Sequence, residues 1–177
     1  MSYLGRKGAT APLSSTDIPD NSITSAKIVD GAVTGSDITF PSGHCIQMVH
    51  EQNYSPSTIS HSDASWQNSG VDIEITPKYD NSKILLMFQS GASASTSGNE
   101  NHITIYRDST DLGAGAYGLA NANTSMRPAS LLWVDTPGTS GSAIEYSIYY
   151  RSGSSGTAAY LIWGGSSWSF IAMEIKV

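Results

Sequence analysis

Val71-Asp72-Ile73-Glu74-Ile75-Thr76, then Pro77-Lys78-Tyr79-Asp80-Asn81-Ser82, then Lys83-Ile84-Leu85-Leu86-Met87-Phe88-Gln89, is the stretch that decides the fold class. In residues 71–76 apolar and acidic side chains alternate. Val71, Ile73 and Ile75 therefore share one face of an extended chain, and Asp72 and Glu74 the other. Residues 77–82 bring together Pro, Asp, Asn and Ser, each of which favours a turn. Residues 83–95 (KILLMFQSGASAS) open with a continuous apolar run. Such a run predicts a strand buried on both faces in its first half.

Outward from this hairpin the same signal recurs. HCIQMVHEQ (44–52) reads as a strand before it. HITIYR (102–107), PASLLWVD (128–135), AIEYSIYYR (143–151), TAAYLIW (157–163) and WSFIAMEIKV (168–177) read as strands after it, and LGAGAYG (112–118) as a weak strand of small residues. Eight or nine strands at short spacing, with no helical periodicity between them, predict an all-β sandwich or barrel.

Composition agrees. Of 177 residues only 14% are charged, and Gly, Ser and Thr make up about a third. A helical bundle needs far more Ala, Leu, Glu and Lys. Sixteen Ile, nine Tyr and four Trp are too many order-promoting residues for a disordered chain. A net charge of −6 provides no basic field to collect phosphates, so nucleic-acid binding is not expected. The apolar run Ile84–Phe88 falls far short of a membrane span, so no membrane insertion is expected either. The opening MSYLGRKGATAPLSS has no apolar core of a secretion signal. A single cysteine, Cys45, leaves no internal disulfide to form.

Residues 17–40 follow another rule. Ile18, Ile23, Ile28, Val33 and Ile38 recur every five residues. DIPDNSITSA (17–26) aligns with KIVDGAVTGS (27–36), and a third copy starts at Asp37-Ile38. The turn-type pairs Asp20-Asn21 and Asp30-Gly31 fall at matching positions. A five-residue period suits neither a helix nor a flat strand. One large aliphatic in five cannot make a core alone, so the repeat needs neighbours. Three chains wound round one axis would place three aliphatic side chains at each level. The alternative is a repetitive flexible linker, which has no need of Ile or Val at fixed intervals.

Several chemical motifs appear by letter. Gly113-Ala114-Gly115-Ala116-Tyr117-Gly118 matches G-x-G-x-x-G, with Asp135 further on. A dinucleotide site needs a strand leading into the first glycine and a helix leaving the last. Here the polar turn RDSTD precedes the glycines and LANANTSMRP follows them, so they read as a place of close packing. His44, His50, His61 and His102 show no metal-ligand spacing. A histidine on a three-fold axis would meet two copies of itself, and the sequence leaves that open. Cys45 alternates with His44 and Ile46 at the start of a strand; a catalytic thiol would need a basic neighbour and access, and Cys45 reads instead as a small structural residue. Asp72/Glu74 and Asp108/Asp111 are carboxylate pairs of the kind glycosidases use, but they read as a solvated strand face and a turn. No catalytic residue, cofactor site or metal site is expected, and the chain is not expected to be an enzyme. Among the aromatics, Trp163 and Trp168 bracket a Gly-Gly-Ser-Ser turn, and Tyr54 and Trp66 lie in a polar stretch. These four are candidates for receptor contact, since indole and phenol rings stack on sugar faces as well as pack interfaces.

DIPDNSITSAKIVDGAVTGSDI resembles stalk segments of bacteriophage fibre proteins, particularly those of marine and cyanobacterial phages. ITPKYDNSKILLMFQSGAS, IYRDST, VDTPGTSGSAIEYSIYY and IAMEIKV resemble the head domain of such fibres, which is similar to the complement/tumour-necrosis-factor-like jelly roll. The resemblance spans residues 17–177. It implies an antiparallel jelly-roll β-sandwich head at 44–177, a repeat stalk at 17–43, an N-terminal virion-anchoring segment at 1–16 and a homotrimer. Tyr3, Leu4, Arg6 and Lys7 would carry the anchor, against a tail adaptor, nozzle or capsid protein. The expected role is a virion protein made in the host cytoplasm, foremost a tail fibre whose knob meets a host surface glycan. A capsid-attached head fibre or decoration protein is the alternative, and a stand-alone carbohydrate-binding module is the alternative from another class.

Overall fold

A computed structural model describes residues 20, 23–24, 26, 28–29, 32–33, 37–95, 100–123, 127–163 and 165–177. The chain divides into two compact units, Met1–Thr39 and Phe40–Val177. Ile18 of the repeat and the anchor residues Tyr3, Leu4, Arg6 and Lys7 lie outside the described residues.

The second unit is all-β: β1 (Cys45–Asn53), β2 (Ile59–His61), β3 (Gln67–Ile75), β4 (Lys83–Ser95), β5 (Glu100–Arg107), β6 (Thr110–Asp111), β7 (Ala120–Asn123), β8 (Arg127–Asp135), β9 (Ile144–Ser152), β10 (Ala159–Ile162) and β11 (Trp168–Ile175). No α-helix occurs among the described residues. All named pairings are antiparallel. One sheet runs β1-β11-β4, with β8 on β4 and with β10 and β2 continuing from the end of β4. The other runs β3-β9-β5, with β6 and β7 on β5. Apart from β2, β6 and β10, the strands order as β1-β11-β4-β8 and β3-β9-β5-β7, the arrangement of a jelly-roll-like double sheet.

Alternation builds the core between the sheets. Val71, Ile73 and Ile75 of β3 are buried with Ile84, Leu86 and Phe88 of β4, Ile103 and Ile105 of β5, Tyr146 and Ile148 of β9, and Phe170 of β11. Phe88 and Phe170, partners across β4 and β11, meet edge to face at 5.9 Å. Each such side chain contributes about 1.5–3 kcal/mol on burial.

One end of the interior is polar, and its two buried carboxylates are partnered. The Asp135 carboxylate accepts two bonds from Arg107 Nη1 at 2.9 Å and one from the Tyr146 hydroxyl at 2.7 Å. The fully buried Glu174 accepts the backbone N–H groups of Lys78 and Tyr79 and the amide of Gln47, all at 2.7–3.0 Å. These bonds tie the 77–82 turn to the last strand.

Two strand expectations change. Residues 112–118 are not a strand: they run through turns and lie against β5 through the Leu112 N–H on the Ile105 carbonyl, the Tyr117 ring on His102 and an isolated bridge from Ile103 to Gly118. Small side chains offer a strand little to pack, and here they let the loop press against its neighbours. β4 is not covered on both faces. Ile84, Leu86 and Phe88 face the core, whereas Leu85 and Met87 remain partly exposed on the other side. Antiparallel sandwiches cover one face of each sheet, so a strand apolar on both sides leaves one of them open.

Candidate functional site

The open face of the β1-β11-β4-β8 sheet is ordered in rows. Cross-strand register sets Met48, Met173, Leu85 and Val134 side by side. The next row is His50, Ile171, Met87 and Leu132, and the third is Gln52, Ser169, Gln89 and Ser130. Two rows are therefore apolar but for His50, and the third is entirely polar and uncharged. Met48, Leu132 and Val134 are 57%, 69% and 49% exposed, far from the usual fate of such side chains. Isolated apolar residues on a surface need no explanation, but a contiguous patch marks a site of contact.

The repeat segment shows the same deficit by itself. Ile23, Ile28, Val33 and Ile38 are 57%, 41%, 51% and 44% exposed. Among the described residues, these four rungs of the ladder stay about half open to solvent.

The third row opens into a groove of about 250 Å³, lined by Gln52, Tyr54, Gln89, Ser90, Ser167, Trp168 and Ser169. Two of the four aromatic candidates line it. Tyr54 is 74% exposed, and Trp168 is partly buried against the core. The other two lie elsewhere. Trp66 stands beneath the Arg151 guanidinium, 5.2 Å from its ring centre. Arg151 in turn donates to the carbonyls of Ala64 and Ala116, pinning two loops. Trp163 meets Tyr160 edge to face at 4.3 Å.

The remaining motifs are occupied with structure. A Cβ on Gly118, whose φ is +66°, would lie 2.5 Å from the Ile103 carbonyl oxygen and 2.8 Å from Trp66; one on Gly113 would lie 2.4 Å from the Thr104 hydroxyl. The glycine run is a site of close backbone approach, as its setting in the sequence suggests. Asp111 accepts from the Thr104 hydroxyl at 2.6 Å and from Gly113 N–H at 2.9 Å, and Asp108 accepts from Glu145 N–H at 3.2 Å. Asp72 has its carboxyl raised by partial burial first, then by the neighbouring Glu145 and Glu51 charges. His50 Nε2 lies 2.9 Å from Ser169 Oγ. His102 is buried, with Nε2 2.9 Å from Glu100, whose carboxyl this hydrogen bond holds below the usual range. His61 lies 3.7 Å from Asp63 and His44 stacks near Phe40. Among the described residues no three His, Cys, Asp or Glu side chains converge as metal ligands would.

Sequence reasoning missed Met48, Ile171, Met173, Leu132 and Val134 as members of one surface. The signal was present in Leu131-Leu132-Trp133-Val134 and Leu85-Leu86-Met87-Phe88, which are apolar at odd and even positions alike. Only the register shows that the surplus residues fall into common rows.

An all-β sandwich with one apolar face uncovered is what the fold and surface define. No family model matches the chain, and no curated protein does. Solved structures that match it include particles of infectious bursal disease virus, Gt and Gx strains, and the subviral particle of VP2 from that virus. Identities are 13%, 14% and 15%, over 73%, 75% and 75% of this chain and 40%, 37% and 38% of those chains, each with a TM-score of 0.28. This chain thus spans about two fifths of the length of those proteins, and a likeness of that size carries no argument about function.

Proposed function

We propose that the chain is a structural virion component, a homotrimeric fibre whose sandwich head and repeat stalk both complete their cores by self-association. The observation that carries this reading is the pair of apolar rows, Met48-Met173-Leu85-Val134 and Ile171-Met87-Leu132, left open on the head. The exposed aliphatic ladder in the other unit supports it independently. A foreign partner would have to match two separate features, whereas further copies of this chain satisfy both. Three copies suit the stalk, because one aliphatic per level from each of three chains fills a narrow centre. The N-terminal segment, with Tyr3, Leu4, Arg6 and Lys7, would hold the fibre to a tail or capsid protein, and the head would project toward the host surface. Its role is mechanical and adhesive rather than catalytic. In support of that, the candidate carboxylates Asp108 and Asp111 are engaged in holding turns and backbone.

Light scattering on the purified chain tests the assembly, with the mass of three chains expected at micromolar concentration. A well-folded single chain would remove this reading. Immunogold labelling of particles tests the location: label at the tail is expected, and label spread over the shell makes the chain a capsid-attached fibre or decoration protein instead.

A further inference from the structure

We infer that the groove at the polar end of the open face is a binding site for a neutral saccharide. This deepens the fibre reading and rests on it for the meaning of the contact, but not for the chemistry of the groove. On one sheet face, hydrophobic rows give way within one step of register to Gln52, Ser169 and Gln89. These present two carboxamides flanking the Ser169 hydroxyl, which is itself 2.9 Å from His50 Nε2, and neither glutamine amide bonds another described residue. Carboxamides donate and accept at once, which matches the paired donors and acceptors of vicinal sugar hydroxyls. Tyr54, 74% exposed, lines the same groove and supplies its aromatic surface, whereas Trp168 lines it from the strand but has the inward parity of β11 and packs against the core. Aromatic rings offer the apolar C–H face of a pyranose a surface on which to pack. No charged side chain lines the groove, so neither a phosphate nor an acidic sugar finds a counter-ion there. Its volume of about 250 Å³ lies below the roughly 300–1,000 Å³ of pockets that enclose a small molecule. One sugar ring fits with the rest of a chain outside, as a surface polysaccharide requires.

Of the groove residues on the sheet, Gln52, Gln89 and Ser169 belong to the same face as the apolar rows, and Ser90 and Trp168 to the core face. Association through those rows would gather three copies at one end of a common axis. Weak single-ring binding would then gain from multivalency without any new contact.

Saturation-transfer NMR tests the groove, with the methyl glycosides of glucose, galactose, mannose and N-acetylglucosamine as neutral probes and methyl glucuronide as the acidic one. Transfer to at least one neutral probe is expected, with weaker or no transfer to the glucuronide. Gln52→Ala with Gln89→Ala should weaken that signal at least tenfold while circular dichroism stays unchanged, because both side chains are exposed. Tyr54→Ala should weaken it in the same direction. No transfer to any neutral probe, equal transfer to the glucuronide, or transfer that survives the double glutamine variant would each overturn the inference. The oligomeric mass is read on the same samples. A trimer that binds no sugar removes the groove and leaves the assembly, and a monomer that binds sugar does the reverse.

Discussion

Asp135 shows how far a single side chain determines this fold. Its carboxylate is nearly buried and holds both Arg107 and the Tyr146 hydroxyl. Asp135→Ala leaves a guanidinium and a phenol facing an apolar gap. Breaking such a pair on one side costs about 3 kcal/mol or more, and the melting temperature of the head should fall by roughly 10 °C. Differential scanning calorimetry checks this, and Asp135→Asn should recover part of the loss by keeping an acceptor. Tyr150 sets a pH dependence. Burial pushes its hydroxyl up to about 12, and burial together with the Asp135 hydrogen bond moves Tyr146 in the same direction. Above about pH 10 an unfolded tyrosine ionises while these folded ones keep their protons. The folded state then binds more protons than the unfolded, so stability falls as pH rises from about 10, continuing through about 12 for Tyr150. Each group contributes a slope of at most about 1.4 kcal/mol per pH unit. Urea unfolding at pH 8, 10 and 11 should show the decline, and Tyr150→Phe should flatten it.

At the scale of elements, the strands were legible because alternation and turn residues report directly on which face meets the core. Residues 71–76 and 83–95 correspond to the end of β3 and to the whole of β4. The short β2 and β6 were not legible, since three and two residues carry no period. β7, Ala120–Asn123, was hidden because its small and polar side chains resemble a loop. The loop at 112–118 was misread as a strand, yet its packing role was legible in the glycines themselves. That role separates three positions sharply. Gly118→Ala forces a side chain into a left-handed backbone and against a carbonyl, at a cost of about 2–4 kcal/mol. Gly113→Ala meets the Thr104 hydroxyl and should cost about 1–3 kcal/mol. Gly115→Ala makes only an ordinary contact at 3.5 Å and should stay within about 0.5 kcal/mol of the parent. Thermal melts of the three variants should follow that order. A nucleotide-binding loop would instead show all three glycines sensitive in a binding assay and indifferent in a melt.

For the whole molecule, the decisive quantity is apolar surface that one chain leaves in water. The groove and the rows were not legible in the sequence because each residue's neighbour across the sheet is up to about 125 positions away, as with Met48 and Met173. Local pattern records the parity of a strand but not the register that turns scattered Met, Leu and Val into a surface. The five-residue ladder was legible because its period is itself the signal. Both features can be broken without touching the folded core. Leu132 and Val134 are 69% and 49% exposed, so Leu132→Asp with Val134→Asp removes little packing within the chain. In an assembled fibre the same change buries carboxylates at each contact, where they lose their hydration without gaining partners. The expected outcome is a folded head, judged by unchanged circular dichroism, with a loss of association in sedimentation. Ile23→Asp with Ile28→Asp applies the test to the other unit and should lower the melting temperature of the assembled state. Should the head variant alone dissociate the fibre, the sheet face drives assembly and the ladder follows. Should both be needed, the two units associate independently, and each must be disrupted before single chains appear.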